Sequence, residues 1–257
     1  MPFFLNLFIP RTPWVQEIDQ PVFNLFEKYL NKSRSSALYR LAMRVFRYLF
    51  NRDDVVMITW TQWSKEGLEM EGFRDVRVVP PPMRTSPRKI DNEITVGFIG
   101  VEYQRKGGDI AEDVMSKLPR RIKKVYVGKS PRRVSGIEYH EPMRREELLK
   151  LMSEFDVLLF PTRGEAYGFT ALEAMSMGIP VVASNVDSMP EVISDGGLLC
   201  NVNDTRCFLD SVKELVNSPD YIMELGARAK AIVAQRHSPS VVGKELLGIY
   251  RELSEYE

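Results

Sequence analysis

Short apolar runs alternate with amphipathic stretches along most of the chain. The densest example lies between residues 157 and 184. Val157 to Phe160 is an apolar run of buried-strand length that stops at Pro161. A polar loop follows over 162–167. Gly168 leads into a stretch whose apolar positions Phe169, Leu172, Ala174 and Met175 suit a helix, and Gly178 and Pro180 end it. Residues 181–183 form a second apolar run. Strand, helix and strand at that length predict a parallel crossover unit, whose ligands sit beyond the carboxyl ends of the strands.

The same rhythm extends in both directions. Strands are expected at 94–99, 122–127 and 137–140, with a glycine-rich loop at 100–108 and helices at 109–118 and 145–153. Helices follow at 205–217 and 219–235. Ser238 and Pro239 cap a last one, which runs to about Ser254. This alternation argues for a doubly wound parallel sheet. Upstream, residues 3–9 fit a buried strand, and prolines 10, 13 and 21 mark a loop around Trp14, Glu17 and Asp19. Residues 23–30 and 64–70 read as helices, and 55–59 and 76–79 as strands. Four prolines over 80–89 read as an interdomain linker.

Residues 32–52 carry no acid. Arg40, Arg44 and Arg47 fall at helical spacing, with Leu38, Leu41, Val45 and Leu49 on another face and Tyr39, Phe46, Tyr48 and Phe50 between. Two readings stand: peripheral contact with an anionic membrane surface, or an apolar face buried in the first unit with solvated arginines. Nothing else in the chain supports nucleic-acid binding.

The chain has 257 residues, room for one large or two small domains. A hydrophobic content of 44% with 27% charged residues is that of an ordinary soluble protein, and a net charge of +0 removes any global pull toward nucleic acid. Cys200 and Cys207 are too few for a disulfide-dense secreted scaffold and lack metal-site company. No histidine pairs with a nucleophile as in a hydrolase, and no cluster suggests a metal. Residues 1–10 are apolar but too short to span a bilayer and poor as an export signal, so a cytoplasmic location is expected.

Candidate chemistry concentrates in two loops. Glu165 is either a solvated loop acid or a functional carboxylate. Glu173, at the end of Thr170-Ala-Leu-Glu173, is either the acid of a capping box or a ligand group. Residues 100–108 lack the dinucleotide spacing, but their glycines and Lys106 suit a phosphate. Lys106 alone reads equally as a turn lysine.

The stretch E-A-Y-G-F-T-A-L-E-A-M-S-M-G-I-P-V-V-A-S, the following M-P-E-V-I and the upstream F-I-G-V-E-Y-Q-R-K-G occur in one order. Together they resemble the nucleotide-sugar-binding domain of the retaining glycosyltransferases of family 4, over about 94–217 and loosely over 53–83. The resemblance implies an α/β, GT-B-like chain. It would have a Rossmann-like doubly wound parallel sheet in its C-terminal domain (89–237) and a truncated, smaller N-terminal domain on the acceptor side (1–88 with linker). A C-terminal helix (238–257) would cross back. It implies retaining transfer from a nucleotide diphosphate-sugar to an acceptor that is a glycan, a lipid-linked molecule or a protein, with no cofactor and no metal.

Glu165 and Lys106 would be catalytic. Gly100, Arg105, Gly107, Tyr167, Gly168, Phe169, Thr170 and Glu173 would bind the donor, with Glu173 on the ribose hydroxyls. Tyr139, His140 and Pro142 would wall the base pocket. Two departures stand out. Val101 occupies a position where the family often has arginine, and only about 90 residues precede the second domain. A minimal enzyme, a fragment, and a subunit that needs a partner or pairs with itself all fit, as does a non-catalytic sugar-nucleotide-binding protein.

Overall fold

The structure, a computed structural model, describes residues 12–89 and 93–255. The chain forms two compact units, 1–82 with 239–257 and 83–238.

In the first unit β1 (Trp14–Glu17), β2 (Val55–Thr59) and β3 (Val76–Val78) make a parallel sheet in the order β1-β2-β3. A helical turn, α1 (Val22–Asn24), runs into a π-helical turn at Leu25–Tyr29; α2 (Ala37–Phe50) and α3 (Gln62–Met70) follow. All of β2 is buried because its alternate residues serve two faces. Val55 and Met57 join Phe26, Met43, Phe50 and Leu68 on one side. Val56 and Ile58 meet Val242, Ile249 and Leu253 of the helix Pro239–Ser254 on the other.

The second unit holds six parallel strands. They are β4 (Thr95–Ile99), β5 (Lys123–Val127), β6 (Glu138–His140), β7 (Val157–Phe160), β8 (Val181–Ser184) and β9 (Gly197–Cys200). Their order is β6-β5-β4-β7-β8-β9. The chain builds outward from β4 to β6, then returns to pair β7 with β4, Val96 opposite Val157. That reversal between β4 and β7 is the topological switch point, where the loops leaving neighbouring strands part and open a crevice. The helices are α4 (Tyr103–Lys106), α5 (Gly108–Ser116), α6 (Arg145–Met152), α7 (Phe169–Ser176), α8 (Met189–Ile193), α9 (Thr205–Val216) and α10 (Pro219–Arg236). The helix Pro239–Ser254 of the first unit is α11. Phe98, Val157 and Leu159 pack with Ala111, Val114, Phe208 and Val212 in the main core.

Several expectations change. The strand expected at residues 3–9 lies outside the described residues. Trp14–Glu17 is a strand rather than part of a loop, in register with β2 at Trp14 and Val55. Its two faces pack Trp14 and Val15 against different clusters, which outweighs the flanking prolines. The 80–89 stretch is less of a free linker than its prolines imply. From Met83 onward it is fastened to the second unit by backbone bonds from Met83 to His237, Ser86 to Ser176 and Lys89 to Ser153. Helix α2 buries Met43, Leu49 and Phe50, with Tyr39, Ala42 and Phe46 partly covered, while Leu38, Leu41 and Val45 are exposed. The apolar face expected from spacing is therefore mostly the outer one. Strand β9 and helix α8 are additional, and Cys200 and Cys207 are joined in a disulfide across the turn from β9 to α9.

Candidate functional site

The loop after β4 is built on close backbone approach. A Cβ on Gly100 would stand 2.7 Å from Cβ of Lys106, and one on Gly128 would stand 1.9 Å from the Gly100 carbonyl oxygen. Gly107 has φ +71°, and its Cβ would lie 2.0 Å from the carbonyl oxygen of Pro161. Only glycine fits there at low cost, since the left-handed conformation and the contact both exclude a side chain. Within this loop α4 makes a single turn, Glu102 accepting from the amide of Lys106. That turn sets Arg105 and Lys106 beside the loop after β7.

The two loops are tied together. The amide of Arg163 donates to the carbonyl of Arg105 at 2.7 Å, and the Arg105 guanidinium donates to the carbonyl of Gly164 at 3.0 Å. Arg163 grips both carboxylate oxygens of Asp109 at 2.9 and 2.8 Å and reaches Asn203 at 2.7 Å. This bidentate contact holds the Asp109 carboxyl below its usual range.

At the centre, Lys106 pairs with Glu165 through Oε2, and Arg105 lies 3.9 Å from that oxygen. All three side chains are largely buried. The amide of Glu165 is held by Asp187 at 3.0 Å. Arg105 also grips Glu102 with both oxygens, which lowers the Glu102 carboxyl.

Helix α7 starts at Gly168, whose φ is +91°, and no side chain caps it. The capping box expected at Thr170 and Glu173 is absent, because the helix begins at Phe169 and Glu173 sits past its first turn. Instead the buried Glu173 carboxylate receives Arg145, from the start of α6, at 2.5 Å. Burial raises the Glu173 carboxyl above its ordinary range, and Arg145 opposes that. Tyr167 is buried, with its hydroxyl 3.3 Å from Nδ1 of His237 and its ring against Phe169 at 5.3 Å. Burial pushes that hydroxyl far up.

The three residues expected to wall a base pocket have the following surroundings. Tyr139 donates its hydroxyl to the fully buried Glu112 at 3.0 Å, together with Tyr103, Ser130 and Arg132. His140 pairs with Glu138 at 2.6 Å, and Pro142 is exposed. The tyrosine is thus one member of a network that fastens the 128–134 loop. Among the described residues no group of three or more His, Cys, Asp or Glu could hold a metal ion.

The structure therefore gathers Gly100, Arg105, Lys106, Gly107 and Glu165 at the switch point. Tyr167, Gly168, Phe169, Thr170 and Glu173 follow directly on the same loop and helix. Sequence reasoning missed Arg145, Asp187 and the Arg163–Asp109 clamp. A basic residue opening the helix after β6 was the one visible sign of Arg145.

Comparisons with known proteins bear on the family and the fold. A family model described as "Glycosyl transferases group 1" matches residues 93–218. D-inositol 3-phosphate glycosyltransferase of Corynebacterium urealyticum is 29% identical over 120 residues, covering 46% of this chain and 28% of that protein. N-acetyl-alpha-D-glucosaminyl L-malate synthase of Bacillus anthracis is 28% identical over 112 residues, covering 43% and 29%. The matched part thus spans less than a third of either relative. Among solved structures, sucrose-phosphate synthase of Thermosynechococcus elongatus superposes with TM-score 0.78 at 17% identity, over 95% of this chain and 69% of that one. HepE of Anabaena, in complex with UDP and glucose, gives 0.76 at 16% identity, over 93% and 71%.

Proposed function

We propose, from the premise that the chain belongs to the group 1 glycosyltransferases of GT-B fold, that it transfers a sugar from a nucleotide diphosphate-sugar with retention at the anomeric carbon. The observation that carries this reading is the meeting, at the switch point, of Arg105 and Lys106 from the loop after β4 with Glu165 from the loop that runs into α7.

Each group has a role in the proposal. Lys106 and Arg105 take the diphosphate, while Gly100 and Gly107 let backbone approach it. The amides around Tyr167, Gly168, Phe169 and Thr170 lie at a helix N-terminus, which suits the distal phosphate and sugar hydroxyls. Glu173 accepts from both ribose hydroxyls, a task for one ionised carboxylate, and Arg145 shares it. Glu165 faces the donor sugar as a hydrogen-bonding and electrostatic group. Cations of the chain, not a metal, stabilise the leaving group. The bond from the anomeric carbon to the diphosphate oxygen breaks as the acceptor oxygen attacks from the same face. The departing diphosphate takes the acceptor's proton. The acceptor is a glycan, a lipid-linked molecule or a protein.

The test is turnover. The protein is incubated with UDP-, GDP- and ADP-sugars and an acceptor panel of these three classes, with magnetic resonance of the new anomeric proton. Release of diphosphate with an α-linked product from an α-linked donor is expected. An inverted product overturns the mechanism. Nucleotide binding with no transfer to any acceptor favours a non-catalytic sugar-nucleotide-binding subunit.

A further inference from the structure

Helix α2 carries three sets of side chains on three sectors. Tyr39, Ala42, Met43, Phe46, Leu49 and Phe50 face the core of the first unit. Leu38, Leu41, Val45 and Tyr48, spaced three, four and three apart, form a second apolar stripe on the outside. They are 53%, 59%, 41% and 80% exposed. Arg40, Arg44 and Arg47 form a third sector beside that stripe and are also exposed. No acid lies between residues 37 and 50 to neutralise them.

A helix needs one apolar face to pack on its own unit, and this one has a second. Four large apolar side chains spread over about three turns, roughly 15 Å, are costly to leave in water. The arginines along the edge say what kind of surface covers them. We infer that α2 is a membrane-surface helix that lays Leu38, Leu41, Val45 and Tyr48 into the interface of an anionic lipid bilayer while its arginines meet the headgroups. An apolar stripe bordered by cations is what such an interface binds, burying the stripe a few ångströms below the phosphates. A second copy is a poorer occupant, because an antiparallel twofold pairing of α2 with itself would set the two arginine rows along the same edge. Among the described residues no helix is long and apolar enough to cross a membrane, so this contact is peripheral. It does not depend on the proposed chemistry.

Vesicle sedimentation tests it. The whole chain is mixed with vesicles of phosphatidylcholine alone, or with one third phosphatidylglycerol, at low and high salt. Binding is expected only with phosphatidylglycerol and is expected to weaken as salt rises. Two variants separate the contributions: Leu38→Ser with Leu41→Ser and Val45→Ser, and Arg40→Ala with Arg44→Ala. Arg47 is left alone because its bond to the Met43 carbonyl is partly buried, whereas the bond from Arg40 to the Ser35 carbonyl is exposed. The arginine variant should bind about 30-fold more weakly, at about fivefold per cation near an anionic surface. The serine variant should not sediment. Circular dichroism checks that both variants keep the helix. Failure of the wild type to sediment with anionic vesicles, or equal sedimentation of wild type and variants, overturns the inference. Self-association of the wild type in equilibrium centrifugation, abolished by the serine variant and without vesicle binding, assigns the stripe to a second copy instead.

Discussion

The Lys106–Glu165 pair is the sharpest place to perturb the site. Lys106→Met removes the cation but keeps most of the length of the side chain. It leaves a carboxylate that is mostly buried, with Arg105 at 3.9 Å as the remaining cation. Removing one partner of a buried pair costs about 3–5 kcal/mol. The second cation in reach brings the expected cost to about 2–3 kcal/mol, since a charge 4 Å away still contributes substantially at intermediate dielectric. Glu165→Gln leaves two cations close together and should cost a similar amount. The double variant removes both charges and should cost only about 1 kcal/mol, because a buried pair contributes little against a neutral pair of the same shape. The expected coupling energy is therefore about 3–5 kcal/mol, well above the few tenths that separate independent sites. Urea unfolding supplies the numbers. It should be followed by circular dichroism, because Trp14, Trp60 and Trp63 all lie in the first unit and their fluorescence would report on that unit. Single costs that simply add in the double variant would refute the pairing.

Other predictions follow from the same geometry. Burial raises the Glu173 carboxyl, so the ionised form that binds ribose is complete only above that raised value. UDP affinity should then fall on acidification at a pH above the ordinary carboxylate range of about 4.3. Arg145→Ala removes the opposing cation and should move the fall to still higher pH, read from calorimetric titrations across pH. Gly107→Ala must hold φ near +71° and push against the Pro161 carbonyl, and should cost about 3 kcal/mol in denaturant unfolding. Arg163→Leu frees Asp109 and the tip of the acid loop. It should lower kcat more than tenfold while UDP binds with little change, measured by steady-state kinetics beside calorimetry.

Much of the second unit was legible because its central strands are short, largely apolar runs between polar loops, as at Val157–Phe160 and Thr95–Ile99. Their order could be anticipated as a doubly wound sheet, and the loops at its carboxyl edge were found through Gly100, Lys106, Glu165 and Glu173. What could not be read depends on contacts distant in sequence. Arg145 reaches Glu173 across 28 positions, as the two residue numbers give, and no local pattern marks it. The capping box failed because Gly168, in a left-handed conformation, is the N-cap, so the helix starts two residues too early for Thr170 to cap it and Glu173 falls beyond N3. Tyr139 was expected at a pocket wall from the family resemblance, and no local pattern showed that its hydroxyl donates to the buried Glu112, a contact across 27 positions. On α2 the spacing of Leu38, Leu41, Val45 and Leu49 suggested one face, but two apolar sectors share that helix. Only packing shows that Met43 and Phe50 turn inward.

The central claim is that the switch-point site holds a nucleoside diphosphate through Glu173 and Lys106. Calorimetric titration of UDP, GDP and ADP into the wild type and into Glu173→Ala tests it most directly. One of the three should bind the wild type at a single site. The variant should bind it roughly a hundredfold more weakly, about 3 kcal/mol for two charge-assisted hydrogen bonds to the ribose. Equal affinity in the two proteins would place the nucleotide away from α7. No binding of any of the three would mean that the chain has the fold of a donor domain without its site.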